Sequence, residues 1–217
     1  YKHVIAMLTS VTSFIKRKVF RRDRDRWNHQ YAHGKWAGLG ALDELSRFSV
    51  IVGYAQHLKP GGTILELGAG EGVLQQRFNR DLYTQYVATD VSDVAIAQAK
   101  RFEDNKTRFA VADMNAYVPD QAFDVIIINE AIYYGGTVQR ILDRYAAYLK
   151  PDGIFIVSIN YDNGRNDTWH RQLESCSYAK LDRTVISTSK NTFYVTVLQQ
   201  NPHADTASAT VLAAATL

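Results

Sequence analysis

The chain is poor in cysteine, proline and methionine, with one, four and two among 217 residues. The lone thiol, Cys176, excludes an internal disulfide and any all-cysteine metal site, and its scarcity points to a reducing compartment such as the cytoplasm. No stretch approaches the roughly 20 consecutive apolar residues of a membrane-spanning helix. The opening YKHVIAMLTSVTSFIKRKVFRR is interrupted by Lys2, Ser10, Thr12 and Ser13 and runs into no small-residue cleavage pattern, so a signal peptide is not expected. Clusters of His, Cys, Asp or Glu at metal-ligand spacing are missing too, and metal-independent chemistry is expected. Neither an internal repeat nor a linker divides the chain. Its 46% hydrophobic content is enough for one well-buried domain.

Charge is unevenly spread. Residues 1–36 carry nine Lys or Arg against Asp23 and Asp25, a balance of +7, whereas the remainder is acidic at −4. A basic amphipathic start would steer an anionic substrate or touch a membrane surface. The plainer alternative is a solvated helix whose Val4, Ile5, Leu8, Val11 and Ile15 pack on its own domain or on a partner chain in an oligomer. At the other end, residues 200–217 are Ala/Thr-rich without amphipathic order and read as a loose tail.

Between these ends, short apolar runs alternate with helical periods. TILEL, QYVATD, RFAVAD, FDVIIIN and IFIVSIN read as strands. GVLQQRFNRDL, SDVAIAQAKRFE with a Ser92 cap, and TVQRILDRYAAYL before KPDG read as the intervening helices. The continuous branched run of FDVIIIN implies burial on both faces. Such alternation specifies a parallel sheet with right-handed crossovers, a doubly wound α/β fold. DRTVISTS and TFYVTVLQ, joined at Lys190 and Asn191, then read as an antiparallel hairpin. Ahead of the core, ALDELSRFSVIVGYAQHL reads as a helix.

Glycines cluster where the first strand ends, in TILELGAGEG at Gly68, Gly70 and Gly72. Such a loop lies where doubly wound folds bind ligands, and glycine lets the backbone approach closely. Val73-Leu74 stands where a P-loop needs Lys-Ser/Thr. The third glycine comes one residue early for a dinucleotide site, which disfavours an NAD-dependent oxidoreductase. Acids at three successive strand ends, Glu66, Asp90 and Asp113, go beyond what helix capping requires. Asp90 could accept from both ribose hydroxyls, and Asp113 from an adenine amino group with Met114 over the ring.

Taken together, LELGAGEG, VATD, VADM, FDVIIINEAIYY, LKPDG and the closing hairpin resemble a class I S-adenosylmethionine-dependent methyltransferase over roughly residues 36–199. The resemblance implies a Rossmann-like seven-stranded sheet, mostly parallel, whose seventh strand lies antiparallel between the fifth and sixth. It implies that the Gly68-Ala69-Gly70 backbone faces the methionine part of S-adenosylmethionine, with Glu66 ordering the loop. Asp90 would hold the ribose, Val91 and Met114 would flank adenine, and Asp113 would bind its amino group. Residues 1–36 are then a basic helix and lid segment, and 37–199 the methyltransferase domain.

Methyl transfer from a sulfonium needs alignment and, for a hydroxyl nucleophile, a base. NEAIYYGG, after the fourth strand, borders the methyl group in this family. Asn129 is therefore a cofactor contact, Glu130 a base or amine-positioning group, and Tyr133 and Tyr134 acceptor walls; the alternatives are junction packing and helix capping. WNHQYAHGKW resembles the N-terminal lid of the thiopurine and tellurite methyltransferases, which puts Tyr31, His33 and Trp36 over the cofactor. His33 or His29 would be a base, Arg47 would meet the cofactor carboxylate, and Trp169 and His170 would come over the acceptor. The [DNS]-P-P-[YF] motif of nucleic-acid amino methylation, a cysteine for cytosine C5 chemistry and the glutamate pair of protein arginine enzymes are all missing, so no sequence-specific nucleic-acid partner is expected. NE-x-x-YY resembles enzymes acting on sugars, nodulation-type oligosaccharides and small metabolites. Methylation of an O or N of a small molecule or glycan is expected; the alternative is a non-catalytic methyltransferase-like scaffold.

Overall fold

Seven strands form one sheet in the order β3-β2-β1-β4-β5-β7-β6. They are β1 (Gly62–Leu67), β2 (Tyr83–Asp90), β3 (Thr107–Val111), β4 (Phe123–Asn129), β5 (Leu149–Tyr161), β6 (Ala179–Ser187) and β7 (Thr192–Gln199). The computed structural model describes residues 23–162 and 164–201. The expected basic helix over the first residues falls largely outside these, as does most of the expected tail. Helices are α1 (residues 23–32), α2 (Leu42–Leu58), α3 (Asp93–Ala99), α4 (Val138–Ala146) and α5 (Asp167–Ser175).

Strand β4 shows why the sheet is doubly covered. It pairs in parallel with β1 and β5, and residues Val125 to Ile128 are all buried. Successive side chains alternate between faces. Ile64, Val125 and Ile127 join Phe48, Ile51 and Ile96 from α2 and α3 on one face, while Leu65, Ile126 and Ile128 join Ile141, Leu142 and Leu173 from α4 and α5 on the other. Parallel strands need crossovers; α3 lies in the one from β2 to β3 and α4 in the one from β4 to β5. The last two strands run antiparallel, with β7 between β5 and β6. The doubly wound, mostly parallel architecture with an antiparallel closing hairpin is thus the one read from the sequence.

Four local expectations differ. The segment after the glycine loop forms two 3-10 turns, Gln75–Arg77 and Arg80–Leu82, instead of a helix. Gly72 enters with φ 76°, Gln75 turns inward to donate to Tyr83 Oη at 3.0 Å, and extended Phe78 and Asn79 interrupt the coil. The hairpin loop spans residues 188–191, because Thr188 Oγ1 accepts from the N–H groups of both Lys190 and Asn191. KPDG belongs to β5, and β3 stops at Val111, leaving Asp113 in the following loop.

Ile127 is fully buried at the centre of β4. Ile127→Ala is expected to cost about 2–5 kcal/mol in urea unfolding, whereas Val118→Ala, at a position 66% exposed, should stay within about 0.5 kcal/mol of the parent.

Candidate active site

The glycine loop is tied to the end of β2 by its own backbone. Gly68 and Ala69 N–H both donate to Thr89 O, at 2.8 and 2.9 Å. Gly70 N–H donates to Asp90 Oδ2 at 2.9 Å, and Ser92 N–H donates to Asp90 Oδ1 at 2.8 Å. Gly68 and Gly70 have φ of 78° and 55°, the left-handed region where glycine is favoured. A Cβ on Gly68 would lie 2.5 Å from Ala131 Cβ, and one on Gly70 would lie 2.6 Å from Tyr31 Oη. Both positions therefore require glycine. Burial pushes the Asp90 carboxyl above the usual range against the pull of its backbone donors.

Beneath the loop, Glu66 accepts from Tyr86 Oη at 2.7 Å, and burial raises its pKa to about 7. Its carboxylate contact is to Tyr86, while Thr89 and Asp90 supply the bonds that order the loop. Met114 is buried, and its Cε would stand 3.8 Å from a Cβ on Gly68, which sets it beside the loop. Its carbonyl accepts from Tyr145 Oη. Asp113 Oδ1 accepts from Asn115 N–H at 2.9 Å, and Asn115 Nδ2 donates onward to Tyr134 O. Half-buried Val91 lies between Asp90 and Ser92.

Helix α1 brings its aromatic face over this cradle. Trp27 packs edge-on to Tyr134 at 5.0 Å and lies 5.7 Å from Trp36, while Tyr31 lies 6.4 Å from both tryptophans. Tyr31 is buried, and its hydroxyl is held protonated by burial first and then by Asp90 and Glu71. His33 is not brought to the cradle. About 100° per residue sets His29 roughly opposite Trp27 on the helix. The exposed His33 ring lies tilted against His29 at 4.1 Å, with Nδ1 donating to His29 O. That outward pairing corrects the expectation of His33 as base. Asn28, which the sequence reading passed over, bonds Ser92 and Asp93 at the start of α3.

At the end of β4, Asn129 Oδ1 accepts from buried Arg47, whose other terminal nitrogen donates to Glu44 at 2.6 Å. The guanidinium lies over Phe48 and Phe193, and its Nε is buried without a partner. Glu130 adopts φ 54°, uncommon for a residue with a side chain. Its carboxylate accepts from Ser158 Oγ at 2.6 Å, Tyr133 Oη at 2.8 Å and Asn160 N–H at 3.0 Å. Thr137, not Glu130, caps α4. Trp169 stands edge-on to Tyr133 at 5.9 Å, and His170 Nε2 bonds the Asn160 carbonyl. Ser158 and Asn160 were also passed over; their only signal is polarity at the end of an otherwise apolar strand.

A family model described as a methyltransferase domain matches residues 28–201, from α1 to just past β7. The chain belongs to the methyltransferase domain family. Over 102 residues it is 35% identical to a ubiquinone biosynthesis O-methyltransferase of Rhodopseudomonas palustris, covering 45% of this chain and 40% of that protein. The chain thus spans well under two thirds of that relative. In fold it is similar to N-methyltransferase NodS from Bradyrhizobium japonicum WM9, solved with S-adenosyl-L-homocysteine, at TM-score 0.60 and 17% identity over 77% of this chain and 91% of that one. It is also similar to DhpI in its S-adenosylhomocysteine complex, at TM-score 0.63 and 14% identity over 84% and 97%.

Both of these structural neighbours were solved with S-adenosylhomocysteine, and the residues present here fit S-adenosylmethionine, the donor that such a methyltransferase domain would use. Gly68 and Gly70 keep the loop bare of side chains where it closes against Ala131 and Tyr31, so its backbone alone would face the cofactor. Asp90 keeps acceptor capacity beyond its backbone donors, since a carboxylate has about four lone-pair positions.

Two outcomes follow. Gly68→Ala is expected to weaken S-adenosylhomocysteine binding by more than about ten-fold in calorimetry, because its Cβ meets Ala131. Glu66 binds more protons folded than unfolded between its ordinary 4.5 and about 7. Its contribution to stability is therefore full below the lower value and falls by about 3 kcal/mol as pH rises through the upper. Glu66→Gln, which can still accept from Tyr86, should flatten the difference between urea midpoints at pH 5.5 and 8.

Proposed function

We propose that the chain transfers a methyl group to an O or N of a ring-bearing small molecule or glycan, in the cytoplasm. The observation that carries this reading is the aromatic, hydrogen-bonded ledge beside the glycine loop: Tyr133, Tyr134, Trp169 and His170 around the Glu130–Ser158–Asn160 bonds. Aromatic faces suit sugar and aromatic rings alike. The O- and N-methyltransferase names of the relatives support both acceptor atoms.

S-adenosylmethionine, when bound, supplies an electrophilic methyl group and a neutral thioether leaving group. The chain's own work is then to bind and align. Gly68, Ala69 and Gly70 would hold the methionine end with Asn129 and Arg47 nearby, Asp90 the ribose, and Val91, Asp113 and Met114 the adenine. Tyr31 and Trp36 close the top and exclude water. Glu130 already has three donors on its carboxylate, so its part is to fix Tyr133 and the end of β5 against the acceptor. Tyr134, 46% exposed and edge-on to Trp27, is the acceptor wall.

The test offers radiolabelled S-adenosylmethionine with three acceptors: 3,4-dihydroxybenzoate, a deacetylated chitooligosaccharide and bulk tRNA. Label in either of the first two is expected; label in tRNA alone, or cofactor binding with no transfer to any acceptor, overturns the proposal. Tyr134→Ala should lower turnover of the labelled acceptor at least about ten-fold while S-adenosylhomocysteine affinity stays within about two-fold.

A further inference from the structure

Asn28 lies on the same face of α1 as Trp27 and Tyr31, and both the oxygen and the nitrogen of its amide are bonded at the N-terminus of α3. Its Oδ1 accepts from Ser92 Oγ at 2.7 Å and from Val94 N–H at 3.5 Å, while its Nδ2 donates to Asp93 Oδ1. Ser92 is the pivot of this arrangement. Its Oγ caps α3 by accepting from Ala95 N–H at 3.1 Å, and its own N–H donates to Asp90. A continuous chain of bonds therefore runs from the lid helix through one turn of backbone to the carboxylate assigned to the ribose. On its other side, that carboxylate receives Gly70 N–H, and Gly70 lies directly under Tyr31.

Rings also meet on this face: Trp27 packs on Tyr134, and Tyr31 and Trp36 pack against Trp27. Apolar contact is non-directional, so rings alone would let α1 slide or rotate over the cradle. The amide of Asn28 sets its register. It also ties the lid to the same turn, residues 90–94, that positions Asp90.

We infer that Asn28 is a positioning residue, a latch that holds the lid shut over bound S-adenosylmethionine and sets how fast S-adenosylhomocysteine leaves. A ligand held beneath a closed segment leaves only when that segment opens. Breaking the latch raises the opening rate, and the loss falls on release rather than on the fold. Asp93 faces Asn28 directly, so the pair can be exchanged. A carboxylate at position 28 opposite the native Asp93 repels, whereas a carboxylate at position 28 opposite an amide at position 93 restores the bond with donor and acceptor reversed.

The inference rests on the cofactor and not on the acceptor, so its test needs no methyl acceptor. Release of S-adenosylhomocysteine from the full chain is followed by stopped-flow tryptophan fluorescence, with Trp27 and Trp36 in the lid as reporters, and affinity by calorimetry. Asn28→Ala and Asn28→Asp are expected to speed release about ten-fold or more, with thermal midpoints within a few degrees of the parent. Asp93→Asn alone should stay near the parent, because its amide oxygen still accepts. Asn28→Asp combined with Asp93→Asn should bring release back to within about three-fold of the parent. Release from Asn28→Ala within about two-fold of the parent overturns the latch, as does a double variant no slower than Asn28→Asp. Should Asn28→Ala fail to fold, the comparison of Asn28→Asp with the double variant decides by itself. A parent chain that binds no S-adenosylhomocysteine removes the cofactor assignment and the latch together.

Discussion

Asp90 is the constraint on which the site depends. A carboxylate almost wholly removed from water costs several kcal/mol unless donors compensate. Here the compensation comes from Gly70 on one side and Ser92 on the other. Those two N–H groups belong to the two segments proposed to frame the cofactor, the loop after β1 and the start of α3. Burial still outweighs the donors, as the raised pKa of Asp90 records, and further hydroxyl donors from a ribose would relieve it. On the proposed assignment of Asp90 to the ribose, the strain of burying this charge and the affinity for the ligand have one source.

The left-handed glycines serve the same end. Gly68 and Gly70 bring backbone within reach of Ala131 and Tyr31, from different directions. Ala131 follows the strained Glu130, and Tyr31 descends from the lid. The loop is thus closed in on by the acceptor side and by the lid at once, with no side chain of its own between them. A left-handed φ at a residue bearing a side chain costs on the order of 1 kcal/mol or more. At Glu130 three hydrogen bonds to its carboxylate offset that cost and tie the turn after β4 to the end of β5.

Much of this was legible in the sequence. The glycine spacing, Asp90, the Ser92 cap, the apolar run of β4 and the hairpin each express a local backbone requirement, and local requirements leave short, readable patterns. Where the reading failed, a distant partner or an inward polar group had intervened. Gln75 abandons a helix to reach Tyr83, and Thr188 widens a turn. His33 was plausible as a base by residue type alone, and only the rotation of α1 shows that it faces outward with His29.

The same distinction explains why the donor half of the site is plainer than the acceptor half. The loop, Asp90 and Asp113 proposed to frame the cofactor come from the ends of β1 and β2 and the loop after β3, within about fifty positions, and each sits at a turn the backbone must make. On the acceptor side, Glu130 meets Ser158 and Asn160 from the neighbouring strand, Tyr133 meets Trp169 from α5, and Trp27 reaches Tyr134 across more than a hundred residues. No spacing rule connects such partners, because the sheet and the lid bring them together only after both have formed. Specificity built from long-range contacts can vary without disturbing the turns that hold the methyl donor. One fold can therefore carry many acceptors on an unchanged cofactor site, and Asn28, which joins the lid to those turns, is where the two halves meet.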